Sequence, residues 1–377
     1  MNYNRITAFF SLTLVTGIIC LLPSCVDDPK ENSVEIDRQP LLTSLADNVI
    51  IPGYENLNGE ITSLNAAAQV FVETPEQANL STLRTAFTQA YRSWQAVAFF
   101  NFGPGFNQTL RAEFNTYPAD YFSIENSIES GEYNLDSFSA ANQKGLPALD
   151  YLLYGLAEND VDLLEFYTTD QNSENRKTYL TSLTERLKEK IDQVYNGWIA
   201  TEGNYRQQFI NQDGNDAGSS ISLLINSLSQ YFEVFTRDAK IGIPLGKRSQ
   251  GDIIPKNVEA YYNGDLSITL AADNLRGIKN IFTGSNGNLD GVGLYNYLKD
   301  LKAQSNGDLL ADVVISQLDQ AIAAVESIPS PLSNTIESNP QPVEEAHGKL
   351  QQFVFTIKAE IPSATGVLIS YSDNDGD

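Results

Sequence analysis

Histidine and cysteine are almost missing from this chain: 377 residues hold one histidine, His347, and two cysteines, Cys20 and Cys25. Catalytic zinc sites use several histidines, or histidine with carboxylate or thiolate. There is no His-Glu-x-x-His helix and no evident Ser-His or Cys-His pairing, so the composition argues against a zinc peptidase of that kind. Basic residues are also scarce, 24 against 48 acidic ones, for a net charge of −24. A surface so acidic repels phosphate backbones, which excludes nucleic acid as a natural partner. Beyond the leader, no segment is apolar over the roughly 18–20 residues that a spanning helix needs. Strand-like alternation is nearly absent, with Val367 to Tyr371 the best case.

Both cysteines fall in or just after an N-terminal leader with one positive charge, Arg5, and an apolar stretch from Ile6 to Leu22. Such a segment is a targeting signal and takes no part in the fold. Leu22-Pro23-Ser24-Cys25 resembles a bacterial lipobox, whereas Cys20 follows bulky Ile19, a poor fit to a lipoprotein peptidase. The expectation is a signal peptide over residues 1–24, with Cys25 acylated and residues 25–37 acting as a tether. Cleavage leaves no thiol for a disulfide, so packing alone holds the mature protein. Several acyl chains on one cysteine anchor firmly. The protein then sits at the outer membrane, and the acidic pair Asp27-Asp28 resembles a surface-export signal. A plain secretory signal with an incidental cysteine is the alternative.

What remains is helical. Leu57, Ile61, Leu64, Ala68 and Phe71 recur at steps of four and three, one face of a helix. Pro52-Gly53 interrupts the same stripe upstream and predicts a kink. Thr74-Pro75-Glu76-Gln77 reads as the start of the next helix, which carries Leu83, Phe87, Tyr91, Trp94 and Ala98 and stops at Gly103-Pro104. An irregular excursion then runs to about Lys144, and a short buried helix over Leu149 to Leu156 follows. Further stripes run through Leu180 to Trp198, Ile221 to Phe235, Leu270 to Phe282, Leu294 to Leu301, Val314 to Val325 and Val343 to Ile361. Lys240 to Lys247 reads as a turn leaving a helix. The polar break at Gln212 to Gly218 divides the chain. The fold class expected is all-α, two packed helical bundles of about four principal helices each, over residues 38–211 and 212–377.

The most informative stretch is Gly145-Leu146-Pro147-Ala148-Leu149-Asp150-Tyr151-Leu152-Leu153-Tyr154-Gly155. It sets one carboxylate, Asp150, inside a run apolar enough to be buried, and a buried acid needs compensation. One expectation is that Asp150 ties a helix end to the loop Asn115-Thr116-Tyr117-Pro118-Ala119-Asp120. The other is that it serves a ligand. Together with Trp94, Asn101 to Pro104, Asn115 to Asp120, Lys240 to Lys247 and Pro255 to Tyr261, this stretch resembles the imelysin family. The resemblance implies a two-domain helical protein of the bacterial envelope, a place in a metallopeptidase class and an association with iron uptake. In many members the motif reads Gly-x-His-x-x-Glu and is thought to bind metal between the bundles. Here Pro147 stands in place of the histidine and Asp150 in place of the glutamate.

The cleft candidates are therefore Trp94, Asn115, Tyr117, Asp120, Gly145, Pro147, Asp150 and Tyr154. Oxygen is nearly the only donor available, so any metal would be a calcium or iron ion held by carboxylates gathered from Asp120, Asp150 and Glu233. His347 lies on the apolar stripe of the last helix and reads as a core or boundary residue. The C-terminal Ser372 to Asp377 run reads as a solvated acidic tail. The leading expectation is a non-hydrolytic envelope protein that binds a small ligand or an envelope protein in an inter-bundle cleft, in iron or nutrient uptake. A divergent metallopeptidase and a structural or adhesive surface protein are the competing readings.

Overall fold

Steps of three and four between apolar residues become buried stripes in the computed structural model, which describes residues 36–199, 204–285 and 291–371. The leader, Cys20, Cys25 and the tail from residue 372 lie outside the described residues. Among the described residues the fold is all-α, with one two-residue hairpin as its only sheet.

The chain enters as α1 (Gln39–Leu45), passes through a π turn at Ala46–Ile50 and continues as α2 (Ile51–Glu73). The kink expected at Pro52 takes this form. A proline cannot donate to the carbonyl four residues back and its ring crowds that oxygen. A turn widened by one residue relieves both. The same solution recurs: Ile51, Ile243 and Ile361 each precede a proline, and each donates its N–H to a carbonyl five residues back, on Ala46, Asp238 and Thr356.

Next comes α3 (Gln77–Trp94). Thr74, read as part of the start of this helix, does not cap it; Glu76 stands at the N-cap. The residue before a proline is pushed out of the helical region, and Thr74 instead closes α2, donating its N–H to Val70. Nor does Gly103-Pro104 stop a helix. Proline suits a first turn, and the pair opens α4 (Gly103–Asn107). The excursion read as irregular is built from α4, α5 (Leu110–Phe114), α6 (Tyr121–Ser130) and a 3-10 turn at Phe138–Gln143. The motif helix, α7 (Gly145–Tyr154), starts earlier than expected and takes Pro147 into its first turn. It is followed by α8 (Asp160–Thr168) and the long α9 (Ser173–Ile199).

After α10 (Tyr205–Asn211), α11 (Ser220–Tyr231) runs on into a π-helical stretch, Phe232–Gly242, ahead of Pro244. An irregular segment leads to α12 (Leu266–Thr283), then α13 (Leu294–Asp300). Val367 to Tyr371, the best case for alternation in the sequence, forms no strand. The hairpin is β1 (Gln304–Ser305) against β2 (Asp308–Leu309), antiparallel, with Gln304 opposite Leu309. Its turn is Asn306-Gly307, both at positive φ (52° and 96°), the pair that a two-residue hairpin favours. The chain ends in α14 (Leu310–Glu326), α15 (Leu332–Ser338), α16 (Gln341–Phe355), a π turn and α17 (Ile361–Thr365).

Helix α2 packs against α3 and α9, and α7 lies on α3 and α9; α14 packs against both α12 and α16. The two groups meet where α12 crosses the end of α3. Gly277 makes that approach possible, since a Cβ there would lie 2.9 Å from Ala96 Cα and 3.2 Å from the Gln95 carbonyl oxygen. The buried apolar side chains form one continuous cluster from Leu41 to Val367.

Candidate functional site

The backbone at Gly145 has φ +77°, a left-handed conformation that side chains rarely adopt, and a Cβ would meet the Phe114 carbonyl oxygen at 2.5 Å. Glycine is therefore required for α7 to start against the end of α5. Lys144, just before it, is buried and donates to Glu113 (2.9 Å) and to the Leu135 carbonyl (2.7 Å), while Arg186 clasps the other oxygen of Glu113 (2.5 Å). The N-terminus of α7 is thus pinned by packing and by ion pairs.

One turn on, Asp150 is buried, as its apolar setting demands. Its partners differ from those expected. Oδ2 accepts the backbone N–H of Tyr262 (2.9 Å) and Oδ1 that of Asn263 (3.0 Å). The carboxylate ties α7 to the segment before α12 and not to the loop over residues 115–120. Backbone amides advertise nothing in a side-chain pattern, so this partner was invisible in the sequence. Burial pushes the Asp150 carboxyl up to about 7, the two amide hydrogen bonds pull it down, and the charge of Glu259 raises it again.

Beside Asp150 lies a half-open cavity of about 700 Å³. Tyr117 and Tyr121 contribute from the loop before α6 and its first turn, Pro147, Asp150 and Tyr151 from α7, and Lys256, Tyr261 and Tyr262 from the segment before α12. The rings form a tilted series, with centroids 6.0 Å apart for Tyr121 and Tyr151 and 5.2 Å for both Tyr151–Tyr262 and Tyr261–Tyr262.

Behind the cavity is a buried polar knot. Lys240 donates to Glu259 and, at 2.8 Å, to Gln95 Oε1. Glu259 also accepts from Gln95 Nε2 (3.0 Å) and Asn115 Nδ2 (2.7 Å), and Tyr91 closes the chain on Asn115 Oδ1 (2.8 Å). Thr236 donates to Asn274 (2.7 Å), which in turn donates to the Gln95 carbonyl (3.1 Å). Burial lowers the Lys240 ammonium while Glu259 opposes that shift, and burial together with Glu259 raises the Tyr91 and Tyr117 hydroxyls well above the phenol range.

Of the residues singled out from the sequence, Tyr117, Pro147 and Asp150 line the cavity and Asn115 stands directly behind it. The others serve elsewhere. Trp94 is buried and stacks on Phe114, centroids 4.9 Å apart. Asp120 caps α6 through the Ser123 N–H (3.1 Å) and hydroxyl (2.7 Å). Gly145 is a backbone device, and Tyr154 lies under the Arg84 guanidinium (4.5 Å) on another face. His347 is half-buried beside the π-helical stretch, and burial lowers its imidazole. Sequence reasoning missed Gln95, Lys240 and Glu259. Lys240 falls within a landmark segment and Glu259 within another, but nothing in either signals that they meet.

A sequence profile described as Imelysin (Peptidase M75) matches residues 50–358, most of the chain. The protein belongs to the imelysin family. Iron-regulated protein A of Synechococcus elongatus is 25% identical over 307 residues, covering 79% of this chain and 78% of that one. The fold matches a crystal structure of a putative iron-regulated protein A precursor from Parabacteroides distasonis (TM-score 0.71, 17% identity, 89% of this chain and 97% of the other). It also matches an imelysin-like protein from Psychrobacter arcticum (TM-score 0.68, 19% identity, 88% and 96%).

The metal site that an imelysin motif implies can be tested against the donors present. Pro147 has no side-chain donor where the motif has histidine, and each oxygen of Asp150 already accepts a backbone N–H. Asp120 is a helix cap, and Glu233 is paired with Lys358 (2.9 Å) and Arg237 (3.6 Å), so the carboxylates considered as a set do not converge. Among the described residues no group of three or more His, Cys, Asp and Glu is placed to hold a metal ion. The residues of this motif do not fit the metal.

Proposed function

We propose that this imelysin is a non-hydrolytic binding protein of the cell envelope, lipid-anchored through Cys25 at the outer membrane, and that it serves iron or nutrient acquisition by holding a small ligand in the tyrosine-lined cavity beside α7. The observation that carries this reading is the conversion of the motif. Where a metal-binding imelysin would present histidine and a free acid, this chain presents the Pro147 ring and an Asp150 engaged with the backbone, both facing a 700 Å³ aromatic cavity. A concave, largely apolar site with a few placed polar groups is what small-molecule recognition requires. The name of the Synechococcus relative, an iron-regulated protein, supports the link to iron. The buried knot around Glu259 gives the cavity a rigid back wall, so little ordering accompanies binding.

Three measurements test the reading together. Expression of the gene should rise on iron limitation. Replacing Cys25 by Ala should abolish lipid labelling and membrane fractionation, and labelling that persists or follows Cys20 would contradict the anchor. The purified protein should leave an unstructured peptide intact, and chelator-sensitive cleavage abolished by Asp150→Ala would restore the peptidase.

A further inference from the structure

The cavity wall is unusual in what it offers a ligand. Tyr117, Tyr121, Tyr261 and Tyr262 have hydroxyls with no hydrogen-bond partner among the described residues, while the Tyr151 hydroxyl is committed to Glu125 (2.9 Å). Lys256, exposed on the rim, has no ion-pair partner among the described residues either, although most other lysines and arginines of this chain are paired. Asp150 is the carboxylate on the wall, and both of its oxygens already accept backbone N–H groups. The free polar groups are therefore the phenol hydroxyls, the Asn257 side-chain amide and one ammonium, and the rest of the lining is mostly aromatic ring with Pro118, Pro147, Ile254 and Val258.

We propose that the cavity takes a planar aromatic anion, a fused-ring or substituted aryl carboxylate, with its ring system against the tyrosine wall and its carboxylate on Lys256. The argument is one of complementarity. Tilted rings with centroids 5.2–6.0 Å apart pack into an aromatic wall whose faces and edges suit a flat π system, which gains from offset and edge-to-face contacts. Lys256 is the one unpaired charge on the wall, and a charged acceptor gains most from an ammonium. A cationic ligand would meet Lys256, and the one carboxylate on the wall already holds two backbone N–H groups. A cavity of about 700 Å³ has room for a ligand of fused rings with substituents. The inference rests on the binding reading above and adds the chemical class to it.

The probe is naphthoate, with its uncharged amide as control, titrated calorimetrically into the full-length protein without its leader. Two variants should fold, because Lys256 is exposed and unpaired and Tyr121 is 56% exposed. Naphthoate should bind more tightly than the amide. Lys256→Gln should weaken naphthoate about tenfold, the scale of one charge-assisted hydrogen bond, and leave the amide unchanged. Tyr121→Ala should weaken both. Equal affinity for acid and amide, or naphthoate binding untouched by Lys256→Gln, would overturn the assignment of an anion. Small molecules extracted from purified wild type and Tyr121→Ala separate the two levels of the proposal. A different chemical class retained only by wild type would overturn the aromatic anion while keeping the binding site. No molecule of any class retained or bound by either protein would overturn the binding site itself.

Discussion

Two buried acids, a few residues from one cavity, are compensated in opposite ways. Glu259 accepts from a full cation, Lys240, and from the amides of Gln95 and Asn115. Asp150 is as deeply buried, yet among the described residues only two neutral backbone N–H groups reach it. A charge matched by a charge and by side-chain amides holds its surroundings rigid. A charge matched by dipoles alone stays titratable, and Asp150 is pushed up to about 7 by its burial. The first arrangement makes the back wall of the cavity. The second sits in its lining, fastening to α7 the segment that carries Tyr261 and Tyr262.

The largest effect should come from breaking the charged pair. Lys240→Met leaves Glu259 buried without its cation, at a cost of about 3–5 kcal/mol. Adding Glu259→Gln should recover much of that loss, because the buried charge is then gone. Urea unfolding of the single and double variants measures both, and a double variant no more stable than the single would break the comparison.

Asp150→Ala should cost less, about 2 kcal/mol, because water from the cavity can reach the freed Tyr262 and Asn263 amides. The pH dependence is sharper. The unfolded carboxyl titrates near 3.8 and the folded one near 7, so between these values the folded state holds the extra proton. Stability from this group is therefore present at low pH and is lost as pH rises through 7. Asp150→Asn cannot titrate and can accept only through one oxygen. Its deficit relative to wild type should be largest below pH 4 and should narrow by a few kcal/mol toward pH 8. A deficit that widens with pH would mean that Asp150 is stabilised as the anion.

Asp120 supplies the mild end of the series. As a helix cap its loss in Asp120→Ala should cost about 1 kcal/mol and leave ligand affinity unchanged. Weakened binding in that variant would return Asp120 to the cleft.

How much of this was legible in the sequence follows from what kind of group does the work. The stripes through Leu57 to Phe71 and Leu180 to Trp198 mark helices because periodicity is a property of one continuous segment. The burial of Asp150 could be read from its neighbours for the same reason. Its partners could not, since they are main-chain N–H groups on Tyr262 and Asn263, more than a hundred positions away and without a side-chain signature. Gln95, Lys240 and Glu259 come from three separated segments, so only the packing of α12 on α3 at Gly277 brings them together. Asn306-Gly307 did carry a hairpin signal, but strands of two residues are too short to show alternation. The π turns ahead of Pro52, Pro244 and Pro362 share an Ile-Pro pair that marks where a helix must widen or stop without telling which.

The central claim is that the α7 motif has become the wall of a ligand cavity and has ceased to be a metal site. Metal content of protein purified without chelators, together with calorimetric titration of zinc, calcium and ferric ions into wild type and Asp150→Ala, tests it most directly. Substoichiometric metal as purified and no titration that depends on Asp150 are the predicted results. One metal ion per chain, lost in Asp150→Ala, would contradict the account.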